Sequence, residues 1–298
     1  MNSTEPDWDL YRSFLAVLDE GSLSRAARSL GLTQPTLARH IEQLEAALGA
    51  ALFTRSPRGL LATEAARALA PHARTMRSAA AALKRTASGP SESAEGTIRI
   101  TASNVIAVEV LPAMLHDLRA QRPKLSFEIV ASNESADLLR READIAVRMV
   151  RPKQAALLAK RAGEVMLGLF AHKDYMAKHG APRGLDDVQG HTIIGYDTDA
   201  LALQALTTLG LKLNRDQFIY RTDNDIVQLN LIRAGAGIGI CQVGLAQRDP
   251  NLVRLLAKAF SFPLETWITM HEDLRGVARM RATFDFLVEA MSAYAKAR

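Results

Sequence analysis

Residues 23–48, Leu-Ser-Arg-Ala-Ala-Arg-Ser-Leu-Gly-Leu-Thr-Gln-Pro-Thr-Leu-Ala-Arg-His-Ile-Glu-Gln-Leu-Glu-Ala-Ala-Leu, constrain the fold of this chain more than any other stretch. They read as two short helices folded on each other. The first carries Leu23, Ala26, Ala27 and Leu30 at helical spacing and stops at Gly31, which suits a left-handed C-cap. The second starts at Thr33, whose hydroxyl can cap free amides, and Pro35 sits in its first turn, where a missing N–H costs nothing. Its apolar face is Leu37, Ile41, Leu44 and Leu48. Thr36, Arg39 and Gln43 then point the other way, with His40 at the edge. A tight turn between helices, followed by outward polar and cationic side chains, is the helix-turn-helix pattern. Paired amphipathic helices also occur in ordinary bundles, so this stretch alone leaves the partner open.

Charge narrows the choice. The 298 residues carry a net charge of +5. Between Ser22 and Ser88 there are ten basic and three acidic residues, a surplus that exceeds the whole chain's. The basic end is therefore the helix-turn-helix end, as an anionic partner requires. The single cysteine, Cys241, excludes an internal disulfide and fits a reducing compartment. Residues 1–7 lack the cationic start and apolar run of a signal peptide, and no apolar run reaches membrane-spanning length. A soluble cytoplasmic protein with no membrane partner is expected.

In chain order, residues 8–20 form an amphipathic helix with Leu10, Phe14, Val17 and Leu18 inward. After residue 50, two short apolar runs flank Ser56-Pro57-Arg58-Gly59, which is hairpin chemistry with Arg55 and Arg58 near its tip. Thr63 caps a long alanine-rich helix to about residue 87. Leu69, Ala73, Met76, Ala80, Leu83 and Ala87 form a four-three seam along it for pairing with a second copy. Pro71 should bend or break this helix. Residues 88–96 have linker composition.

From residue 97 strands and helices alternate. Strands are expected at 97–102, 125–131, 144–149, 165–171, 192–195, 218–221, 237–241 and 267–271. Helices are expected at 105–121, 135–141, 225–234 and 277–295. This is an α/β pattern with a parallel sheet, in two lobes with a ligand cleft between them. Positions beyond strand ends and near helix N-termini are Ser103, Asn104, Ser132, Asn133 and Arg148 in the first lobe. The second lobe offers Tyr196, Asp197, Thr222 and Asp223. Hydroxyls at helix N-termini with an arginine nearby favour a small anion. The two aspartates argue for an amine, or for capping alone.

At this point the order of parts resembles the LysR-type transcriptional regulators over essentially the whole chain. The carrying residues are 24–30 (Ser-Arg-Ala-Ala-Arg-Ser-Leu), 33–39 (Thr-Gln-Pro-Thr-Leu-Ala-Arg), 41–45 (Ile-Glu-Gln-Leu-Glu) and 52–59 (Leu-Phe-Thr-Arg-Ser-Pro-Arg-Gly). The resemblance implies an α/β fold with an N-terminal all-α winged helix-turn-helix and a two-lobed, periplasmic-binding-protein-like effector domain. The implied domains are 1–63 for DNA binding, 64–96 for the dimerising linker helix and hinge, and 97–298 for the effector. Lobe I would take about 97–164 and 272–298, and lobe II about 165–271. The implied partners are an interrupted palindrome of double-stranded DNA, a small-molecule effector, a homodimer or dimer-of-dimers tetramer, and RNA polymerase. No cofactor, metal or catalytic residue is implied.

Carried over by position, Gln34, Pro35 and Arg39 match residues that approach bases and backbone in the major groove. Their chemistry agrees: glutamine pairs bidentately with adenine and arginine with guanine. Ser24, Thr33, Thr36, His40, Arg55 and Arg58 complete the candidate DNA surface, mainly as phosphate ligands. Leu69, Met76 and Leu83 are the candidate dimer seam. In the family the hydroxyl after the first effector-domain strand touches the ligand, and Ser103 holds that place. Departures are Ala38, where serine is frequent, and Ala66 and Glu142, where glycine is.

Two other classes compete. An enzyme is disfavoured by the lack of a Gly-x-Ser-x-Gly elbow, of histidines at metal spacing and of a phosphate loop; the glycines 235, 237 and 239 enter a strand rather than a helix. A purely architectural DNA-binding protein would lack an effector response. Cys241, in an apolar run, reads as an inert buried thiol rather than a redox sensor.

Overall fold

The computed structural model describes residues 5–56, 59–87, 95–133, 143–152, 157–211 and 213–296. The expected helix at 135–141, Glu142, Arg58 and most of the linker lie outside them. The chain divides into two compact units that part after Ala87.

In the first unit, α1 (Trp8–Glu20) is capped by the Asp7 carboxylate and stopped by Gly21 in the left-handed conformation. Helix α2 (Leu23–Leu30) ends at Gly31, also left-handed, and α3 (Gln34–Leu48) begins where Thr33 accepts from the Thr36 N–H. Phe14, Leu15, Val17, Ala26, Ala27, Leu37, Ile41 and Leu44 close into one core. Each large member stabilises the unit by about 1.5–3 kcal/mol on burial. Leu48, placed inward by its spacing, is 39% exposed, because the chain leaves the helix at Gly49 one residue later. Strands β1 (Phe53–Ser56) and β2 (Gly59–Ala62) pair antiparallel as the wing.

Helix α4 (Glu64–Ala87) runs through Pro71 without a break. Proline in a helix interior removes one hydrogen bond, but the helix is anchored on both sides of it: Ala66, Ala70 and Ala73 are buried against the core. The seam is thereby divided. Leu69 packs half-buried on the same core, whereas Met76 (41%) and Leu83 (66%) are exposed along the rest of the helix.

In the second unit, β3 (Gly96–Ala102) leads into a helix that opens with a π turn at Ile106–Val110 and continues as α5 (Leu111–Gln121). Pro112 has no N–H to give the Val108 carbonyl, and the Leu111 N–H reaches back to Ile106 instead. Then come β4 (Leu125–Ala131), β5 (Ile145–Arg148), the long β6 (Leu157–His172), α6 (Lys173–His179), β7 (Ile193–Gly195), α7 (Ala200–Thr208) and β8 (Phe218–Arg221). The chain ends with α8 (Asp225–Arg233), β9 (Gly239–Gln242), α9 (Val243–Ala246), β10 (Leu252–Leu255), β11 (Phe262–His271) and α10 (Ala278–Lys296).

One seven-stranded sheet has the order β10-β6-β11-β5-β3-β4, with β9 also beside β6; β7 and β8 pair separately. The sheet is mixed, not parallel as expected. β3 runs parallel to β4 and β5, but β6 and β11 are antiparallel to each other because the chain crosses between lobes along one and returns along the other. Lobe I packs Ile98, Ile100, Leu111, Leu115, Phe284 and Leu287 together. Lobe II has its own cores, one around Leu169, Phe218 and Phe260 and another around Ile194, Leu229 and Ile232. The glycine-rich stretch 235–239 serves packing: a Cβ on Gly237 would lie 2.3 Å from the Thr192 carbonyl oxygen.

Candidate functional site

The first unit presents α3 on its surface. Leu37, Ile41 and Leu44 hold its inner face, and Arg39 and Gln43 are exposed on the outer one. The N-terminus of α3 is tied to α2: Ser24 Oγ donates to Gln34 Oε1 at 3.0 Å. That bond orients the glutamine amide and leaves a second lone pair on Oε1 for a base edge. Thr33 and Thr36 share a hydroxyl hydrogen bond of 2.8 Å. Pro35 is exposed beside them. His40 is half-buried, with Nδ1 hydrogen-bonded to the buried Ser13 of α1 at 2.8 Å, so only Nε2 remains for a phosphate.

Glu45, which the spacing of residues did not single out, fixes the wing. Its Oε1 accepts from the Leu52 and Phe53 N–H groups at 2.6 and 3.2 Å. The Leu60 N–H donates to the Gly21 carbonyl at 3.1 Å, locking β2 against the turn between α1 and α2. Arg55 is exposed on β1.

The basic surplus is partly internal. Arg74 and Arg77 both pair with Asp19, Arg67 donates to the Ala62 carbonyl, and Arg25 donates to the Glu20 carbonyl. These four cations from the count make contacts within the unit although their side chains are exposed, and Arg39 and Arg55 are exposed on α3 and β1.

In the second unit a cavity of about 250 Å³ lies between the two lobes. Lobe I contributes Ser103, Asn133 and Arg148, and lobe II contributes Tyr196, Asp225 and Gln228. Apolar walls come from Val105, Leu167, Leu229, Ile240 and Leu264. Arg148 is 9% exposed and donates to the Ser132 carbonyl at 2.8 Å and to Thr101 Oγ1 at 2.9 Å. Asn133 takes the Asn104 N–H on Oδ1 and donates from Nδ2 to Asp225 Oδ2, both at 3.0 Å, so it spans the lobes. Burial raises the Asp225 pKa above the ordinary carboxylate value, against the Asn133 hydrogen bond, and the nearby Asp199 and Asp223 add to the rise. Tyr196 is pushed up to about 12, chiefly by burial.

Of the residues expected at the cleft, Ser103, Asn133, Arg148 and Tyr196 line the cavity. Asn104 and Ser132 instead support it through backbone atoms, one holding Asn133 and the other Arg148. Asp197, Thr222 and Asp223 do not line it. Asp197 is bound by the Arg215 guanidinium, and Thr222 Oγ1 accepts from the Asn224 N–H in the turn before α8. The Asp223 carboxylate gathers the Thr198 hydroxyl and the N–H groups of Asp197, Thr198 and Asp199, which holds its pKa at about 2. These are turn and capping roles, satisfied within lobe II.

Asp225 and Gln228 are the cavity residues that reading the strand ends missed. They sit one turn apart on α8, and the helix start after β8 was the available signal. Cys241 lines the same wall; its thiol donates to the Gln242 carbonyl and burial pushes its pKa up to about 12, the setting of an unreactive thiol. No helix among the described residues is long and apolar enough to cross a membrane.

Comparison with known proteins agrees with both halves. The model of the bacterial regulatory helix-turn-helix protein, lysR family, matches residues 8–67, and the LysR substrate binding domain matches residues 91–292. An HTH-type transcriptional regulator of Xanthomonas campestris pv. campestris (strain 8004) is 32% identical over 182 residues. That match takes in 60% of this chain and 52% of the relative, so it spans about half of that protein's length. CrgA, an HTH-type transcriptional regulator of Neisseria meningitidis serogroup C (strain 8013), is 25% identical over 284 residues, 93% of this chain and 95% of CrgA. The crystal structure of full-length CbnR complexed with its target DNA superposes with a TM-score of 0.66 at 18% identity, over 97% of this chain and 100% of that one. The chain belongs to the LysR family of DNA-binding transcriptional regulators.

Proposed function

We propose that α3 reads the major groove of an interrupted palindrome through Gln34 and Arg39, with Pro35 beside them and Ser24 orienting Gln34, while Thr33, Thr36, Arg55 and Arg58 fix its register on the phosphates. The observation that carries this is the outer face of α3: a helix buried on one side, capped at Thr33 and presenting Arg39 and Gln43 to solvent. Phosphate contacts position and base contacts specify, so the two sets have separable effects. CbnR, which shares the fold, has been crystallised on its target DNA.

Two half-sites require two copies. Met76 and Leu83, exposed on α4, supply the pairing seam, giving a homodimer or a dimer of dimers, while Leu69 is taken up by the chain's own core. Residues 1–63 bind DNA, 64–96 pair and connect, and 97–298 sense. A small molecule carrying an anionic group, held by Ser103 and Arg148 in the cavity, biases the relative arrangement of the lobes. It does so only by the difference of its affinity for the alternative arrangements. That difference sets the spacing of the recognition helices and the access of RNA polymerase, with no catalytic step.

Selection of duplexes from a random-sequence library by the purified chain tests this. The expected product is a two-fold-related pair of half-sites separated by a helical turn or a multiple of one. Enrichment of asymmetric or unrelated sequences would overturn the reading.

A further inference from the structure

The cavity wall formed by α8 carries more acceptor capacity than an anion alone would use. Asp225 and Gln228 lie three residues apart and therefore on one face of the helix, and both line the cavity. Gln228 is buried and donates one N–H of its amide to the Thr222 carbonyl at 2.8 Å. Its Oε1 remains an acceptor beside the second N–H. Among the described residues the Asp225 carboxylate accepts one side-chain hydrogen bond, from Asn133, whose amide is itself oriented by the Asn104 N–H. No protein cation pairs with Asp225 among the described residues, and its charged neighbours, Asp199 and Asp223, have the same sign. Asp223 is spent on the 197–199 turn.

The opposite wall differs. Arg148 places a guanidinium there, nine-tenths buried, with the Ser103 side chain beside it on the same lobe. Lobe I thus brings a guanidinium to the cavity and lobe II a carboxyl group, with Val105, Leu167, Leu229 and Ile240 as apolar wall.

We propose that the effector is an aminocarboxylate whose ammonium group docks on Asp225 and Gln228 and whose carboxylate faces Arg148 and Ser103. This rests on the reading of the cavity as the effector site and refines the simple anion expected from the sequence. A dianion would bring negative charge to a wall where burial already disfavours the carboxylate. An ammonium group there neutralises Asp225 and, by spanning both walls, draws the lobes together.

Calorimetry and thermal shift on the full chain at neutral pH test it. The probes are the protein amino acids and straight-chain ω-amino acids, each beside its des-amino carboxylate and its decarboxylated amine. The expected result is that at least one aminocarboxylate binds and that its two truncated partners bind about ten- to a hundred-fold more weakly. Asp225→Asn should weaken that aminocarboxylate by a similar factor and leave the des-amino carboxylate unaffected. The comparison of probes on the unmodified chain needs no variant. If des-amino carboxylates bind as tightly, weaken with Ser103→Ala and ignore Asp225→Asn, the cavity reading stands and the ammonium site is overturned. If an aminocarboxylate binds but neither substitution alters it, both are overturned. If no aminocarboxylate binds, the assignment of the effector class is wrong.

Discussion

Glu109 and Arg233 clasp each other across the two lobes through two parallel hydrogen bonds of 2.8 Å, Nη1 to Oε1 and Nη2 to Oε2. Glu109 stands on the π turn of lobe I and Arg233 in the last turn of α8 in lobe II. The pairing holds the Glu109 pKa below its ordinary value and raises that of Arg233. Arg248 adds a hydrogen bond to the Glu109 carbonyl and stacks over Tyr294, whose hydroxyl donates to Gln242 on the cavity wall. The clasp and the cavity wall are therefore linked through hydrogen bonds on either side of one cation–π contact.

Glu109→Gln keeps the side-chain shape and removes the charge. The half-buried, bidentate pair should be worth about 1–3 kcal/mol, between exposed and fully buried pairs. Thermal unfolding of the full chain should show this loss. Because the Glu109 pKa is lowered by folding, its contribution is present above the unfolded carboxylate value and disappears as pH falls through the folded one. An unchanged transition in the variant would show that the clasp does not hold the lobes.

Gly59 opens β2 with φ of 122°, and a Cβ there would lie 2.7 Å from the Gly21 carbonyl oxygen. Gly59→Ala should therefore strain the wing by about 1–3 kcal/mol and detach it from the turn between α1 and α2. Amide exchange at Leu60, whose N–H donates to that same carbonyl, should rise. Retained protection at Leu60 would contradict the role given to this contact.

The helix-turn-helix was legible because its signals are local. Gly31, Thr33 and Pro35 punctuate it, and Leu37, Ile41 and Leu44 keep helical period. The cavity was legible only in part. Ser103, Asn133 and Arg148 follow strand ends in sequence, but Asp225 and Gln228 reach the same cavity from a helix whose placement depends on the whole lobe. Asp223, two residues from Asp225, looks equivalent in sequence yet faces a turn. The length of β6 was hidden because its outer half, residues 157–164, carries Lys160, Arg161 and Glu164 and reads as a connection. The seam of α4 misled in one respect: its first half serves the chain's own core, which no repeat pattern distinguishes from a partner.

Asp223 should report acid sensitivity of the 197–199 turn. Its pKa, lowered from 3.8 to about 2 chiefly by the Thr198 hydroxyl, means that it stabilises the turn above its unfolded value. That stabilisation is lost as pH falls from about 4 to about 2. Solvent screening at this exposed group keeps the effect small. Protection of the Thr198 amide, taken relative to its intrinsic exchange rate at each pH, should fall across that window in the unmodified chain, and in Asp223→Asn it should already be low at neutral pH. Equal exchange in both proteins at neutral pH would contradict the role.

Leu83 is 66% exposed in α4. Leu83→Glu should lower the mass measured by light scattering and reduce affinity for a two-half-site duplex in parallel, because a carboxylate in the seam is buried without a partner. If mass and affinity both stay unchanged, the seam faces solvent.

The most direct measurement is the ratio of affinities for a selected operator and for scrambled DNA, taken at several salt concentrations for the unmodified chain, Arg39→Ala and Arg55→Ala. Arg39 on the outer face of α3 should read a base, so Arg39→Ala should lower the ratio by about 1–3 kcal/mol. Arg55 on the wing should meet phosphate, so Arg55→Ala should weaken both duplexes alike and flatten the salt dependence. An unchanged ratio for Arg39→Ala would contradict the assignment of α3 as the helix that reads DNA.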